Sequence, residues 1–316
     1  MLAIGLLSGL AASALFNVGV GLQALEARAA PPDLGLRPAL LLRLLRRPRW
    51  LWGLALGGLG VPLEVLAFAN APFVVVEPIL AAGLLVLLGM GTRVLGERID
   101  GAVLAGVLAI VAGTALIAWG APAHDEHHRG GVAVVAVMSG LVLVSLIPFA
   151  LRGSRLDTPL VPNLGSACGF AATNVAAKLM ADNLGADHLG RAGAWLGVAA
   201  FAGVAATITG MTALQRREAT TVVPISTAVQ TFLPVALEPL FLSENWGSAP
   251  LDGALLLAGV AAMGVGAVLV SRTGAVSAMV AGTAQPPSES RSRHQTQSMP
   301  TSPGASIRSG RSPTKR

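Results

Sequence analysis

The run Gly-Ala-Val-Leu-Ala-Gly-Val-Leu-Ala-Ile-Val-Ala-Gly-Thr-Ala-Leu-Ile-Ala-Trp, residues 101–119, contains no ionisable side chain. A bilayer needs about 20 apolar residues to be crossed as a helix, so the run reads as a membrane span. Its small residues also recur. Ala105-Gly106-Val107, Ala109, Gly113 and Leu116 return as Ala258-Gly259-Val260, Ala262, Gly266 and Leu269, at a constant offset of 153 residues. Acidic loops precede both copies, Gly96-Glu97-Arg98-Ile99-Asp100 in one and Ser243-Glu244 through Asp252 in the other. Further upstream, Pro78-Ile79 lies 19 residues before Glu97, and Pro224-Ile225 lies 20 before Glu244. At the start of each copy, Ala14, Asn17, Val18 and Leu22 match Ala171, Asn174, Val175 and Leu179 at an offset of 157. Four blocks in one order mark an internal repeat.

Working outward from residues 101–119, further apolar segments of spanning length lie at 2–22, 51–70, 72–91, 131–151, 160–181, 193–213, 219–242 and 251–271. The chain has 22 basic residues, and they divide between the two sides that these nine segments define. Odd-numbered connections and the C-terminal tail hold 19; the even ones hold only Arg129 and Arg191, and Lys178 lies within a span. Without the tail the division is still 12 to 2. Cytoplasmic loops retain Lys and Arg, which predicts an external N-terminus and a cytoplasmic C-terminus. Four spans, a linker and four more turn the second copy upside down. The expected fold is therefore all-α: a polytopic membrane protein of nine transmembrane helices, arranged as two inverted four-helix repeats plus a linking helix. Repeat one occupies residues 1–120, the linking helix 131–151 and repeat two 160–272. Beyond Thr273 the composition turns to Ser, Pro, Thr, Gln and Arg, so 273–316 reads as a disordered cytoplasmic tail.

Composition excludes other classes. With 53% hydrophobic and 12% charged residues and a mean hydropathy of +0.68, a soluble enzyme is not expected. The net charge of +6 sits where membrane topology and anionic headgroups place it, which argues against nucleic acid as a partner. Cys168 is the only cysteine, so no intramolecular disulfide can form. Twenty Arg to two Lys suggests a GC-rich bacterial genome and hence a bacterial plasma membrane. The first segment has its basic residues after the apolar run, unlike a signal peptide, and is read as a retained span. Residues 36–50, with five Arg among Leu, read either as an amphipathic surface helix or as a solvated basic loop.

Inverted repeats characterise secondary transporters, whose halves rock about a site near the midplane. The half-repeat, a proline-bearing span, a Gly-Glu-Arg loop and a Gly-rich span, resembles the EamA-type module of the drug/metabolite transporter (DMT) superfamily. The nine-span layout with its N-terminus outside is similar to the NIPA-type branch, associated with magnesium transport. That likeness runs through Ala67, Ala69, Ala71-Pro72, Val76, Pro78, Ala121-Pro122, Lys178, Ala213-Leu214, Val222 and Pro224-Ile225 to Glu244. The resemblance implies transport of a small organic metabolite or drug by alternating access, or of magnesium or another divalent cation.

An ionisable group at the bilayer centre costs about 2.5–3.5 kcal/mol, so Glu64, Glu77, Lys178 and Glu238 are candidates for a substrate pathway. Snorkelling to the headgroups is the alternative reading of all four. In the eighth span Thr220, Thr227, Gln230, Thr231, Pro234 and Glu238 recur at helical spacings and form a polar stripe, which either faces water or bridges packed helices. Asn174 stands one turn from Lys178, and Asn17 with Ser13 is its counterpart in the first span. The candidate pathway set is thus Asn17, Glu64, Glu77, Asn174, Lys178, Thr227, Gln230, Thr231 and Glu238. His124, Asp125, Glu126, His127 and His128 offer metal-ligand chemistry without a fixed spacing, so whether a metal binds stays open. No Gly-x-x-x-x-Gly-Lys loop occurs, and neither a cofactor nor an enzymatic activity is expected. Expected partners are a small-molecule or ion substrate, the lipid bilayer and a second copy in a homodimer. A non-transporting membrane scaffold is the reading from a different class.

Overall fold

The computed structural model describes residues 2–71, 73–120, 131–185, 188–241 and 250–283. Among these all regular structure is helical: α1 (Leu2–Ala29), α2 (Pro38–Leu44), α3 (Pro48–Asn70), α4 (Phe73–Arg93), α5 (Gly101–Gly120), α6 (Gly131–Ala150), α7 (Leu160–Gly185), α8 (Leu189–Arg216), α9 (Ala219–Phe241) and α10 (Ala254–Thr283). Seven of them, α1, α3, α4, α5, α6, α8 and α10, are long and apolar enough to cross a membrane. The protein is a polytopic membrane protein. Helices α7 and α9 have 26 and 23 residues. They pack against each other, with α6 and α8 also on α7, and α4 and α10 also on α9.

The distribution of side chains fits lipid rather than water. Large apolar groups such as Leu7, Trp52, Leu59, Trp119, Leu143 and Phe201 face outward, while the buried set is rich in Ala, Ser and Thr. Lipid offers no hydrophobic drive for helices to associate, so small residues that let backbones approach closely form the contacts.

Local sequence explains where helices start. Pro38 and Pro48 occupy the first turn, where a missing N–H costs nothing. Asp100 caps α5, its Oδ1 accepting the Val103 amide at 2.9 Å. Between α4 and α5, Gly96 adopts φ 68°, a left-handed conformation that glycine enters without a Cβ clash. That turn folds the next residue back, and the Glu97 amide donates to Gly91 O at 2.8 Å.

Three boundaries differ from expectation. The first span was expected to end at 22, but α1 continues to Ala29, because Arg28 in its last turn meets the carboxylate of Glu97. The expected tail began at 273, whereas α10 runs to Thr283; residues 284–316 lie outside the described residues. Within 36–50 the surface helix is limited to α2, since Pro48 opens α3.

Packing follows a parallel scheme in the two parts of the chain. α1 pairs with α3 and α4, and α4 with α5; α7 pairs with α8 and α9, and α9 with α10. The parts meet mainly where α5 lies against α10, with α1 on α8 and α4 on α9. In the α5–α10 seam a Cβ built on Gly106 would lie 2.8 Å from Gly266 O, and one on Gly266 would lie 2.5 Å from Gly106 O. Gly113 and Gly259 are related the same way, each 2.7 Å from the other's carbonyl. Gly106 also meets Val270 and Gly113 meets Met263, while Gly259 meets Ile117 and Gly266 meets Ile110. Adding 153 to the α5 members of these contacts generates the α10 members. The two helices run antiparallel, and the contact pattern maps onto itself when they are exchanged.

The connections α1–α3, α4–α5, α6–α7 and α8–α9 gather at one end of the bundle. The Leu36 amide donates to Thr212 Oγ1 at 2.9 Å, and Arg152 reaches Asp33 O at 3.4 Å. Arg216 pairs with Asp157 at 2.5 Å, and Glu97 accepts from Arg28 and from the start of α9. This is the end that carries the basic loops.

Candidate functional site

The candidate residues fall into three groups. Glu64 on α3 and Glu77 on α4 are half-buried near the end opposite the basic loops, close enough for their carboxylates to interact electrostatically. Neither has an ion-pair partner among the described residues. Two carboxylates near one end of the bundle, without an ion-pair partner among the described residues, form an acidic locus able to attract a cation.

Thr227, Gln230 and Thr231 on α9 are half-buried, as is Val229 on its other side, which packs against the apolar cluster of α4, α5 and α10. On the preceding turn Ser226 donates to Asn163 Oδ1 of α7 at 2.5 Å, and Asn163 is buried. The polar face of α9 therefore bridges to α7 through Ser226. Thr220, the first member of the stripe, is buried.

Asn17 and Asn174, matched in the repeat, have different surroundings. Asn17 is buried, donates to Ser13 O at 2.9 Å and sits against Gly83 of α4. Ser13 beside it donates to Leu80 O at 2.9 Å. Asn17 thus sits buried at the α1–α4 contact with its hydrogen bond inside α1, and Ser13 makes the interhelical bond. Asn174 is exposed on α7. The side chains of Lys178 and Glu238, and the whole cluster His124 to His128, lie outside the described residues. Among the described residues no group of three His, Cys, Asp or Glu is arranged to hold a metal.

A site that the motif reading missed lies at the basic end. Glu97, with its side chain 2% exposed, receives the amides of Ala219 and Thr220 at 2.7 and 2.9 Å, together with the guanidinium of Arg28. One carboxylate caps the first turn of α9, where free N–H groups and the helix dipole favour an anion, and balances a cation from α1. Burial pushes the Glu97 carboxyl upward, but the contacts from Thr220, Arg28 and Ala219 outweigh it and hold it below the usual carboxylate range. Glu218 nearby is raised, by burial first and then by the charge of Glu97. The sequence signalled Glu97 only as a landmark of the repeat. Its role depends on residues 122 and 123 positions away in the chain.

In comparisons with family models, curated proteins and solved structures, no family model, curated protein or solved structure matches the chain.

Proposed function

We propose that the chain is a secondary transporter of the drug/metabolite type. In this reading nine helices cross the membrane, the N-terminus is outside and the C-terminus cytoplasmic. Two inverted repeats, α1 with α3–α5 and α7–α10, move a small organic solute by alternating access, and α6 links them. The observation that carries the reading is the α5–α10 seam. Helices related by a 153-residue offset pack antiparallel with exchangeable contacts, as expected where two halves of opposite orientation meet on a pseudo-two-fold axis. The gathering of four alternate connections at one end supports α7 and α9 as spans too, since the chain must cross between successive ends.

The mechanism follows from where bonds are dense. At the basic end Glu97 ties the α4–α5 loop of one half to the start of α9 in the other. This contact closes the cytoplasmic side and must break when the halves rock. Toward the other end Glu64, Glu77 and the half-buried part of the α9 polar face line the approach for solute. Lys178 is proposed to pair with one of the membrane carboxylates Glu64, Glu77 or Glu238.

Purified protein in proteoliposomes, offered a panel of amines, amino acids and drugs, should move at least one of them. Flux should fall in Lys178→Met and recover in part when Gln replaces the partner among Glu64, Glu77 and Glu238. No flux of any solute, with magnesium included in the panel, would leave the scaffold reading. The two half-buried carboxylates of Glu64 and Glu77 near one end of the bundle favour a second reading, transport of a divalent cation, because hard cations select oxygen ligands. Saturable magnesium flux that Glu77→Gln abolishes, with no organic solute moved, would select it.

A further inference from the structure

The α1–α3 connection holds a recess of about 550 Å³ that the transport reading leaves unused. Its frame is anchored. Leu40 and Leu44 of α2 are buried in a cluster with Met211 and Leu214 of α8, and the Leu36 amide is held by Thr212. With one face of α2 so committed, the other is presented outward. Leu34, Ala39 and Leu42 line the recess together with the largely aliphatic stems of the exposed Arg43, Arg46 and Arg47, so that the lining is mostly apolar. Arg47 lies 4.0 Å from Glu26, whereas Arg43 and Arg46 have no ion-pair partner among the described residues. Lining and guanidiniums make opposite demands, since the lining asks for hydrocarbon and the guanidiniums for an anion. Next to it α3 begins with Leu51, Trp52 and Leu54 exposed, a surface of the kind that lies in the interface and the acyl region.

We infer that this recess binds an anionic phospholipid, with the phosphate between the Arg43 and Arg46 guanidiniums and the acyl chains running over Leu42 and down α3. Guanidinium is the preferred partner for phosphate, offering forked donors that remain charged. A soluble phosphate ester would satisfy the guanidiniums and leave the apolar lining wet. The inference does not rest on the transport reading, because the recess belongs to the surface of the bundle and not to its interior.

The test is native mass spectrometry of the full chain, delipidated in detergent and given phosphatidylglycerol or phosphatidylcholine. Retention of phosphatidylglycerol over phosphatidylcholine is expected. Each guanidinium near an anionic lipid contributes about five-fold, so Arg43→Ala with Arg46→Ala should weaken retention by about thirty-fold. Arg191→Ala, at the start of α8 and away from the recess, should leave it unchanged. Glycerol phosphate, which lacks the chains, should fail to displace the lipid. Equal retention of the two lipids, no effect of the double variant, or displacement by glycerol phosphate would each overturn the inference. Circular dichroism of the double variant guards against a trivial folding defect, and Arg43→Lys with Arg46→Lys should restore most of the retention.

Discussion

The helices that end the two halves, α5 and α10, keep their repeat in three dimensions, while those that begin them, α1 and α7, do not. In the first pair Gly106, Gly113, Gly259 and Gly266 meet the partners that the offset assigns to them. In the second pair Asn17 is buried against α4, and its match Asn174 is exposed. The neighbours explain the difference. α5 and α10 pack on each other, so both must satisfy one shared surface. α1 is covered by α3, α4 and α8, whereas α7 is covered by α6, α8 and α9. Helix α6, which packs on α7, has no equivalent on α1, and α7 is therefore free to place its polar residues differently. Shared contact preserves symmetry, and unequal surroundings dissolve it.

The largest effects are expected at the seam. Gly113→Leu brings a side chain against the Gly259 backbone, which cannot yield as a flexible side chain would. Destabilisation should exceed the about 1–3 kcal/mol of ordinary overpacking, seen as lost accumulation in membranes or a collapsed melting temperature in detergent. Gly259→Leu should be equally damaging, and Gly106→Leu should match Gly266→Leu. Gly57→Leu on α3, where a Cβ meets nothing within 4 Å, is the control. Unequal effects within either pair would break the symmetry.

Next comes Glu97, which joins the halves asymmetrically. Glu97→Gln should cost about 1.5–3 kcal/mol, the worth of hydrogen bonds to a charged group. The folded carboxyl is held below its ordinary value, so its contribution is fully present above the ordinary carboxylate range and is lost as pH falls through the lowered folded value. Thermal melts of wild type and variant from pH 7 to pH 3 should therefore converge on the acid side. A gap that stayed constant or widened on acidification would contradict the assignment.

Smaller still is the contrast of the asparagines. Asn17→Ala should lose about 1 kcal/mol through its buried hydrogen bond to Ser13 O, while Asn174→Ala should leave the melting temperature unchanged. In a Cys168→Ala background, cysteine at 174 should react with a water-soluble or membrane-permeant thiol reagent, and cysteine at 17 should resist both. Equal reactivity would remove the distinction between α1 and α7. The finest test is on α9, where cysteine at Thr227 or Gln230 should label faster than cysteine at Val229. Similar rates would count against an open polar face.

The sequence by itself determined the class, the helices and most of their limits. Apolar runs such as 101–119 must become helices in lipid, because unpaired backbone groups there have no water to bond to. It also carried the repeat, since the glycine spacing of α5 and α10 is a local pattern readable without knowing the partner. Local reading could not determine which faces were left over once helices packed. Asn17 and Asn174 look alike in the chain, and the stripe from Thr220 to Thr231 looks uniform, yet burial divides both. Glu97 is the clearest instance: a glutamate in a loop reads as solvated until a glycine turn folds it under α4, and α9 and α1 arrive from distant parts of the chain to enclose it. Periodicity and charge balance are properties of a segment, but burial and hydrogen bonding are properties of a neighbourhood, and only tertiary structure assembles one.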